Sequence, residues 1–328
     1  MRPVAAFLSD APKQIERVYG TDSVRRLEQI VQLKTGILRA TDLPRASEVN
    51  YILSTWGMPS VEEKVWRGLP NLKAVFYAAG SVQSFARPLL KAGLRLFSAW
   101  ESNALPVAEY CMSQILLAGK GFLPASQALR RNGKAAWTPS LARGNRGLVV
   151  SLLGAGKVGR ALIRLLKPFG MKLLVFDPFL EDEDARVLGV EKVDLKTAFQ
   201  RGQVVSNHLA DVAQTKGLID ATLLGSLPQG ALFLNTGRGA TVDEAALWKV
   251  LRARPDLYAV LDVSDPEPPA PGSPAYSLPN VFLSPHVAGS LGTELESMAL
   301  AMADELDALI GGRPLRAEVT EAMLSTMA

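Results

Sequence analysis

The chain has 328 residues, 48% of them hydrophobic and 21% charged, which is the composition of a folded rather than a disordered protein. The length favours two domains, because a single hydrophobic core stops growing near about 250–300 residues. The net charge is +4, and the basic residues are spread along the chain. We therefore predict no nucleic-acid partner, and no membrane partner either, since no apolar run approaches the ~18 residues of a membrane span.

The usage of cysteine and histidine limits the possible chemistry. Cys111 is the single cysteine, which excludes an internal disulfide and a cysteine-based zinc site, so no metal is predicted. The first ten residues hold an apolar stretch of only five, too short for a secretion signal, and we expect a cytoplasmic protein. The sequence has two histidines, His208 and His286, so a proton donor near neutral pH has few candidates.

Short apolar runs alternate with amphipathic stretches, and this alternation predicts an α/β fold with parallel sheets. Strands are predicted in the first hundred residues at 4–9, 51–55, 73–77 and 95–98. Helices are predicted at 23–33 and, starting from Pro106, at 106–119.

The second half of the chain repeats the alternation. Strands are predicted at 148–153, 172–176, 204–206, 231–235, 257–263 and 281–284. A helix with apolar residues at helical spacing runs from Val158 to Phe169 and ends at Gly170. Thr241 and Glu244 fit a capping box that opens another helix. The proline-dense residues 265–279 predict a loop, and residues 293–310 predict the last long helix.

A glycine loop links the first strand and helix of this half. Gly154, Gly156 and Gly159 follow the strand, and Lys157 and Val158 open the helix between them. In a dinucleotide-binding loop these glycines allow the tight turn, the close approach of the pyrophosphate and the packing of helix on strand. The helix N-terminus supplies N–H groups for the phosphates. The sequence therefore predicts a dinucleotide cofactor.

An acidic residue completes this pattern. Asp177 ends the next strand, where its carboxylate would accept hydrogen bonds from the adenosine ribose hydroxyls and meet a 2′-phosphate unfavourably. NAD is therefore predicted in preference to NADP. Arg160 and Lys172 leave the alternative open, because either basic side chain could turn towards a 2′-phosphate.

Three further segments place polar side chains just after predicted strands. Arg238 follows one strand, Asp262 ends the next, with Glu267 in the proline-rich loop beyond it, and His286 follows a third. Ligands of open α/β sheets bind outside the carboxyl ends of the strands, so these side chains are expected to converge.

With the glycine loop, these ordered segments resemble the D-2-hydroxyacid dehydrogenase family, which reduces 2-keto acids reversibly with NAD(P)H. The resemblance implies that Arg238 binds the substrate carboxylate, that His286 is the acid/base and that Glu267 is its partner. It also implies that Asp262 accepts a hydrogen bond from the nicotinamide carboxamide. The chemistry is consistent, because an arginine can clamp a carboxylate and a protonated histidine can donate a proton to a developing alkoxide.

Other residues take roles from the same resemblance. His208 and Thr236 would line the cofactor groove, and Asn103 fits the substrate site. The substrate loop departs from the family, which has glycine, glycine and aspartate where this chain has Ala79, Ser81 and Gln83. Backbone N–H groups near Gly80 and Ser81 could still hold a substrate carboxylate, because that contact needs no particular side chain.

The resemblance implies two Rossmann-like or flavodoxin-like domains with the active site in the cleft between them. Residues 103–287 would form the NAD-binding domain, and residues 1–102 with 288–328 a discontinuous substrate domain. A homodimer through the nucleotide domain is implied too. Two alternatives stay open: a corepressor-like protein that senses NAD without turnover, and a formate-type dehydrogenase, whose Gln–His pair differs from Glu267–His286. The sequence leaves the keto acid open.

Overall fold

The computed structural model describes residues 2–133 and 142–327. The chain divides into two compact units, which we call unit 1 (Met1–Ala104 with Ser290–Ala328) and unit 2 (Leu105–Gly289). The limits of these units lie two residues after the predicted domain limits. None of the described helices is both long enough and apolar enough to cross a membrane.

The elements are numbered in chain order. The strands are β1 (Val4–Leu8), β2 (Gln32–Leu38), β3 (Tyr51–Ser54), β4 (Ala74–Tyr77), β5 (Arg95–Ser98), β6 (Val149–Leu153), β7 (Lys172–Phe176), β8 (Glu191–Lys192), β9 (Val204–Asn207), β10 (Leu232–Asn235), β11 (Tyr258–Leu261), β12 (Val281–Leu283) and β13 (Glu318–Val319). The helices are α1 (Pro12–Val18), α2 (Thr21–Ile30), α3 (Glu63–Arg67), α4 (Ala86–Lys91), α5 (Trp100–Gly119), α6 (Phe122–Asn132), α7 (Lys157–Leu166), α8 (Asp182–Leu188), α9 (Leu195–Arg201), α10 (Ala221–Gly225), α11 (Glu244–Ala253) and α12 (Leu295–Ile310).

Unit 1 is a sheet in the order β13-β5-β4-β3-β1-β2 with helices on both faces. Its strands are parallel except β13, which pairs antiparallel with β5. Every residue of β3 and β4 is buried, as expected for a parallel sheet covered on both sides. Trp66 and Phe85 lie in the core on one face, and Met298 and Met302 of α12 lie in the core on the other.

Unit 2 is a fully parallel sheet in the order β12-β11-β10-β9-β6-β7-β8. Leu162 and Leu166 of α7 lie in the core on one face, while Phe199 and Phe233 lie in the core on the other. Because the strands are parallel, their carboxyl ends meet at one edge, where ligands of doubly wound folds bind. The predicted α/β class with parallel sheets is confirmed.

Local corrections concern the ends of elements. The helix predicted over 23–33 is α2, which ends at Ile30, because the apolar residues that follow belong to β2. A side chain distant in sequence caps the start of this helix: Glu296 Oε1 accepts the N–H groups of Asp22 and Ser23, at 3.0 Å each. The helix predicted to begin at Pro106 begins at Trp100, and Pro106 lies inside it. The strands β2, β8 and β13 were not predicted.

The predicted capping box at Thr241 is wrong. Asp243 is the N-cap of α11, and its side chain accepts the N–H of Ala246 at 3.0 Å. Thr241 is buried and donates its hydroxyl proton to the carbonyl of Arg238 at 2.7 Å. The carboxylate of Glu244 accepts the N–H of Asp265 at 2.8 Å. The helix begins two residues later than the predicted box requires, so the cap is Asp243 rather than Thr241.

Candidate active site

Neighbouring strands of unit 2 each carry a predicted site residue at or after their carboxyl end. In sheet order these are His286 after β12, Asp262 and Glu267 after β11, Arg238 after β10, His208 after β9, Gly154 after β6 and Asp177 after β7. The sheet order thus brings residues from 154 to 286 to one edge of a single sheet.

A hydrogen bond joins two of these residues. His286 Nδ1 lies 2.6 Å from Glu267 Oε1, and the two side chains are 50% and 42% exposed. With Nδ1 bound to the carboxylate, Nε2 is the nitrogen left for exchange with a ligand. Both residues line a cavity of about 350 Å³, together with Val263, Leu283 and Tyr276.

Arg238 is half-buried, and its guanidinium interacts electrostatically with Glu267 of this pair. Burial lowers the pKa of its guanidinium, while the negative charges of Asp211 and Glu267 act in the opposite direction. An arginine remains charged in proteins, so this guanidinium is a partly desolvated cation that attracts anionic ligands strongly. The carboxylate of Glu267 therefore interacts with both Arg238 and His286.

A buried amide network that the sequence analysis missed holds the backbone of Arg238. The Nδ2 of Asn207 donates to Asn235 Oδ1 at 3.0 Å and to Thr241 Oγ1 at 2.8 Å. The hydroxyl of Thr241 and the Nδ2 of Asn235 both donate to the Arg238 carbonyl. These residues follow β9 and β10 or end them, so only the strand pairing, which sequence spacing does not reveal, brings them together.

Asp262 is buried, at 2% exposure. Its Oδ1 accepts the hydroxyl of Ser284 at 2.5 Å and the N–H of Val287 at 2.9 Å, while Oδ2 accepts the N–H of Ala288 at 2.9 Å. These internal bonds leave acceptor capacity on Oδ2 for one further donor. The role in binding the carboxamide that the resemblance implies therefore stays a prediction.

The glycine loop has the geometry of a dinucleotide site. Gly154 has φ +102°, and a Cβ on it would lie 2.9 Å from the carbonyl oxygen of His208. A Cβ on Gly159 would lie 2.2 Å from the Gly154 carbonyl oxygen, so helix and loop pack without room for a side chain. A Cβ on Gly156 would meet open space, and no side chain caps α7, which begins with Lys157 and Val158. The N-terminus of this helix, which no side chain caps, fits a pyrophosphate.

The side chain of Asp177 is bound to its own loop. Its Oδ2 accepts the N–H of Ala155 at 2.7 Å, and Oδ1 accepts the N–H of Phe179 at 2.8 Å. Arg160 is paired with Asp184 at 2.8 Å and also donates to the carbonyl of Ala155. The other basic residue considered, Lys172, is the exposed first residue of β7. In this arrangement Arg160 points to protein acceptors rather than to a ligand phosphate.

His208 has one unsatisfied nitrogen. Its Nε2 lies 2.9 Å from Ser206 Oγ, whereas its buried Nδ1 has no hydrogen-bond partner among the described residues. Burial lowers the pKa of this imidazole to about 4, so it is neutral near pH 7. A buried polar atom without a partner costs free energy, and a bound polar ligand would satisfy it. This observation fits the predicted cofactor groove.

Thr236, which directly follows β10, makes a polar contact with Cys111 of α5. The Thr236 hydroxyl lies 3.2 Å from Cys111 Sγ. Burial raises the pKa of the Cys111 thiol to about 12, so the thiol keeps its proton and is not a nucleophile near neutral pH.

The predicted substrate residues of unit 1 lie close together. The Ser98 hydroxyl bonds the carbonyls of Ala79 and Gly80 at 2.8 and 2.7 Å, which fixes the loop before Ser81. Asn103 Oδ1 accepts the N–H of Ser290 at 2.9 Å, and a Cβ on Gly80 would lie 3.4 Å from Asn103 Nδ2. The Asn103 amide thus turns its donor side towards the Gly80 loop.

Gln83, the residue that departs from the family pattern, has a structural partner. Its Nε2 donates to the carbonyls of Leu324 and Met327 at 2.8 and 2.7 Å. A carboxylate at this position could not donate, so the glutamine suits the C-terminal segment that packs on the loop.

The described parts of the chain hold no group of three or more His, Cys, Asp or Glu placed to bind a metal ion.

Known proteins are similar to this chain in sequence and in fold. The chain is 27% identical over 296 residues to the D-3-phosphoglycerate dehydrogenase of Archaeoglobus fulgidus, covering 90% of this chain and 56% of that protein. It is 29% identical over 256 residues to the glyoxylate reductase of Korarchaeum cryptofilum, covering 77% of each. A solved phosphoglycerate oxidoreductase from Rhizobium etli has a TM-score of 0.83 at 21% identity, covering 99% of this chain and 100% of that one.

The chain thus spans little more than half the length of the archaeal phosphoglycerate dehydrogenase that it matches. Residues 112–288, most of unit 2, match the family described as D-isomer specific 2-hydroxyacid dehydrogenase, NAD binding domain. This match covers more than half of the chain and includes the glycine loop, Arg238, Glu267 and His286. The chain belongs to the D-isomer specific 2-hydroxyacid dehydrogenase family.

Proposed function

We propose that this protein reduces a 2-keto acid to a D-2-hydroxy acid with NADH, and catalyses the reverse reaction with NAD. The observation that carries the proposal is the His286–Glu267 pair, 2.6 Å apart, with the half-buried Arg238 close enough to interact with Glu267. A carboxylate-binding cation and an acid/base histidine are the two groups that reduction of a keto acid requires.

Arg238 binds and orients the substrate. Its planar guanidinium donates two parallel hydrogen bonds to a carboxylate, and the partly desolvated setting strengthens this attraction. The backbone bonds from Asn235 and Thr241 hold the residue in place. Substrate contacts of Gly80, Ser81 and Asn103 are part of the proposal and rest on the family resemblance.

His286 transfers the proton. Its Nδ1 is held by Glu267, so the protonated ring donates from Nε2 to the carbonyl oxygen, which becomes the hydroxyl of the product. The carboxylate of Glu267 orients the ring and stabilises the imidazolium. Bound NADH supplies the hydride. In the reverse direction the neutral Nε2 accepts the hydroxyl proton.

The cofactor site in this proposal is formed by residues at the same sheet edge: Gly154, Gly156, Lys157, Val158, Gly159, Asp177, His208, Thr236 and Asp262. Preference for NAD over NADP rests on the carboxylate of Asp177 and on the pairing of Arg160 with Asp184. Unit 2 would be the NAD-binding domain and unit 1 the substrate domain. A homodimer through unit 2 and an active site between the domains remain proposals from the resemblance. A cytoplasmic location remains a proposal from the short apolar stretch near residue 1 and the single cysteine.

A steady-state assay tests the proposal. The oxidation of NADH is followed by absorbance with glyoxylate, hydroxypyruvate, pyruvate and bulkier 2-keto acids. We expect turnover with at least one of them and a D-configured product by chiral chromatography. Tight binding of NADH without turnover of any keto acid would favour the corepressor-like alternative. Reduction of NAD by formate, followed as the appearance of NADH in a separate assay, without turnover of any keto acid would favour the formate-type one.

A further inference from the structure

His286 has an unusual backbone. Among the described residues other than glycine, it is the one with positive φ, at +54°. Residues with a Cβ adopt this left-handed region only when surrounding contacts hold them there, and such residues are concentrated at functional sites. The direction of the His286 side chain therefore depends on whatever fixes the backbone of residues 286–288.

Asp262 provides that fixation. Three successive N–H groups point to it: His286 N–H donates to its backbone carbonyl at 3.0 Å, Val287 N–H to Oδ1 and Ala288 N–H to Oδ2, both at 2.9 Å. One buried residue thus satisfies the whole turn that presents His286. The orientation of its carboxylate sets the orientation of the turn.

A chain of hydroxyl groups orients this carboxylate. The Ser284 hydroxyl lies 2.5 Å from Asp262 Oδ1 and 2.8 Å from the Tyr110 hydroxyl. A carboxylate only accepts, so Ser284 donates to Asp262, and its oxygen then accepts the proton of Tyr110. Burial raises the pKa of Tyr110, and the negative charge of Asp262 acts in the same direction, so the phenol keeps the proton that it donates.

We propose that Tyr110 is a positioning residue for His286, acting through Ser284 and Asp262. Tyr110 lies on α5, whereas the other two residues follow β12 and β11, so the relay ties the turn at the sheet edge to a neighbouring helix. The relay is partly buried, and linked hydrogen bonds shielded from water hold a geometry more firmly than each bond would alone. The proposal rests on the proposed function only for its effect on catalysis.

The first test reads the histidine directly. The chain has two histidines, so selective ¹³C labelling gives two imidazole signals, and a His286→Gln variant assigns them. We expect Tyr110→Phe to move the His286 signal and leave that of His208 in place, while the matched control Tyr258→Phe, on β11 of the same unit, moves neither. Ser284→Ala should move the His286 signal as well. A His286 signal unchanged in Tyr110→Phe would overturn the proposal.

The second test is kinetic. We expect Tyr110→Phe to lower kcat about three- to tenfold, the effect of losing one hydrogen bond, with NADH affinity within about twofold of wild type. Since both residues act through one relay, the Tyr110→Phe/Ser284→Ala double variant should lose no more than Ser284→Ala alone. A double variant whose loss in kcat is the product of the two single losses would contradict the relay. An active His286→Ala enzyme would refute the proposed acid/base instead, and the imidazole signals would still test the relay.

Discussion

Gly239 lies against the backbone of Ser264, so closely that a Cβ on the glycine would be 2.1 Å from the Ser264 carbonyl carbon. Gly239 follows Arg238, and Ser264 precedes the turn that leads to Glu267. The contact therefore sets the distance between the loop that carries the arginine and the loop that carries the carboxylate. A tight backbone contact of this kind tolerates no side chain.

A Gly239→Ala substitution tests this contact. The added methyl group must push the two loops apart, and we expect it to lower the free energy of unfolding by about 1–3 kcal/mol and to raise the KM for the keto acid. Gly225→Ala is the matched control, because a Cβ there meets open space. Chemical denaturation and steady-state kinetics measure both effects. Equal behaviour of the two variants would show that the loops adjust without cost.

Removing His286 should stop turnover while leaving cofactor binding intact. We expect His286→Ala to lower kcat by about 10²–10⁴, the typical contribution of general acid catalysis, with NADH affinity within about twofold of wild type. Fluorescence titration with NADH separates binding from chemistry. A variant with wild-type kcat would mean that another group supplies the proton.

Cofactor choice should depend on the charge of Asp177. We expect the wild-type protein to bind NADH at least about tenfold more tightly than NADPH, since a 2′-phosphate near this carboxylate is repelled. Asp177→Asn should reduce that ratio, and Asp182→Asn, a surface change in the same unit, should not. Both ratios come from fluorescence titrations. Similar affinities of the wild-type protein for the two cofactors would contradict the assigned role of Asp177.

Contacts between residues close in sequence can be predicted from the sequence, whereas contacts between residues far apart in sequence cannot. The glycine loop and Asp177 were predictable because their constraints act within one strand–helix–strand unit. The partners of Gln83 lie 241 and 244 residues away, and the cap of α2 comes from Glu296, 273 residues after Ser23. No local pattern carries such information, so only the packing of the C-terminal segment explains the departure at Gln83.

That packing predicts the effect of a charge at position 83. Gln83→Glu replaces a donor to two carbonyl groups by a carboxylate that faces them, and we expect a loss of about 1–3 kcal/mol in the free energy of unfolding. Gln200→Glu, at an exposed position on α9, is the matched control and should change stability by less than about 0.5 kcal/mol. Denaturant titrations of both variants measure the difference. An unaffected Gln83→Glu protein would show that the C-terminal segment does not depend on this amide.

Acid should destabilise the protein through His208. Its pKa is about 4 in the folded protein, below the ordinary value of 6.5, because burial disfavours the charged ring. The His208 imidazole therefore becomes protonated near pH 6.5 in the unfolded chain, but only near pH 4 in the folded protein. Above pH 6.5 His208 therefore does not lower the free energy of unfolding. As the pH falls from 6.5 to 4, it lowers the free energy of unfolding by on the order of 1 kcal/mol per pH unit.

A comparison of unfolding at pH 7 and pH 5 isolates this effect. We expect wild-type protein to lose more stability than His208→Gln over this interval, by about 1–2 kcal/mol, because the variant lacks the buried imidazole. Saturating NADH at pH 7 should then stabilise wild type more than His208→Gln, because a bound cofactor would satisfy the Nδ1 that lacks a partner. Equal stabilisation of the two proteins would remove His208 from the cofactor site and leave its neutral ring as a feature of the core.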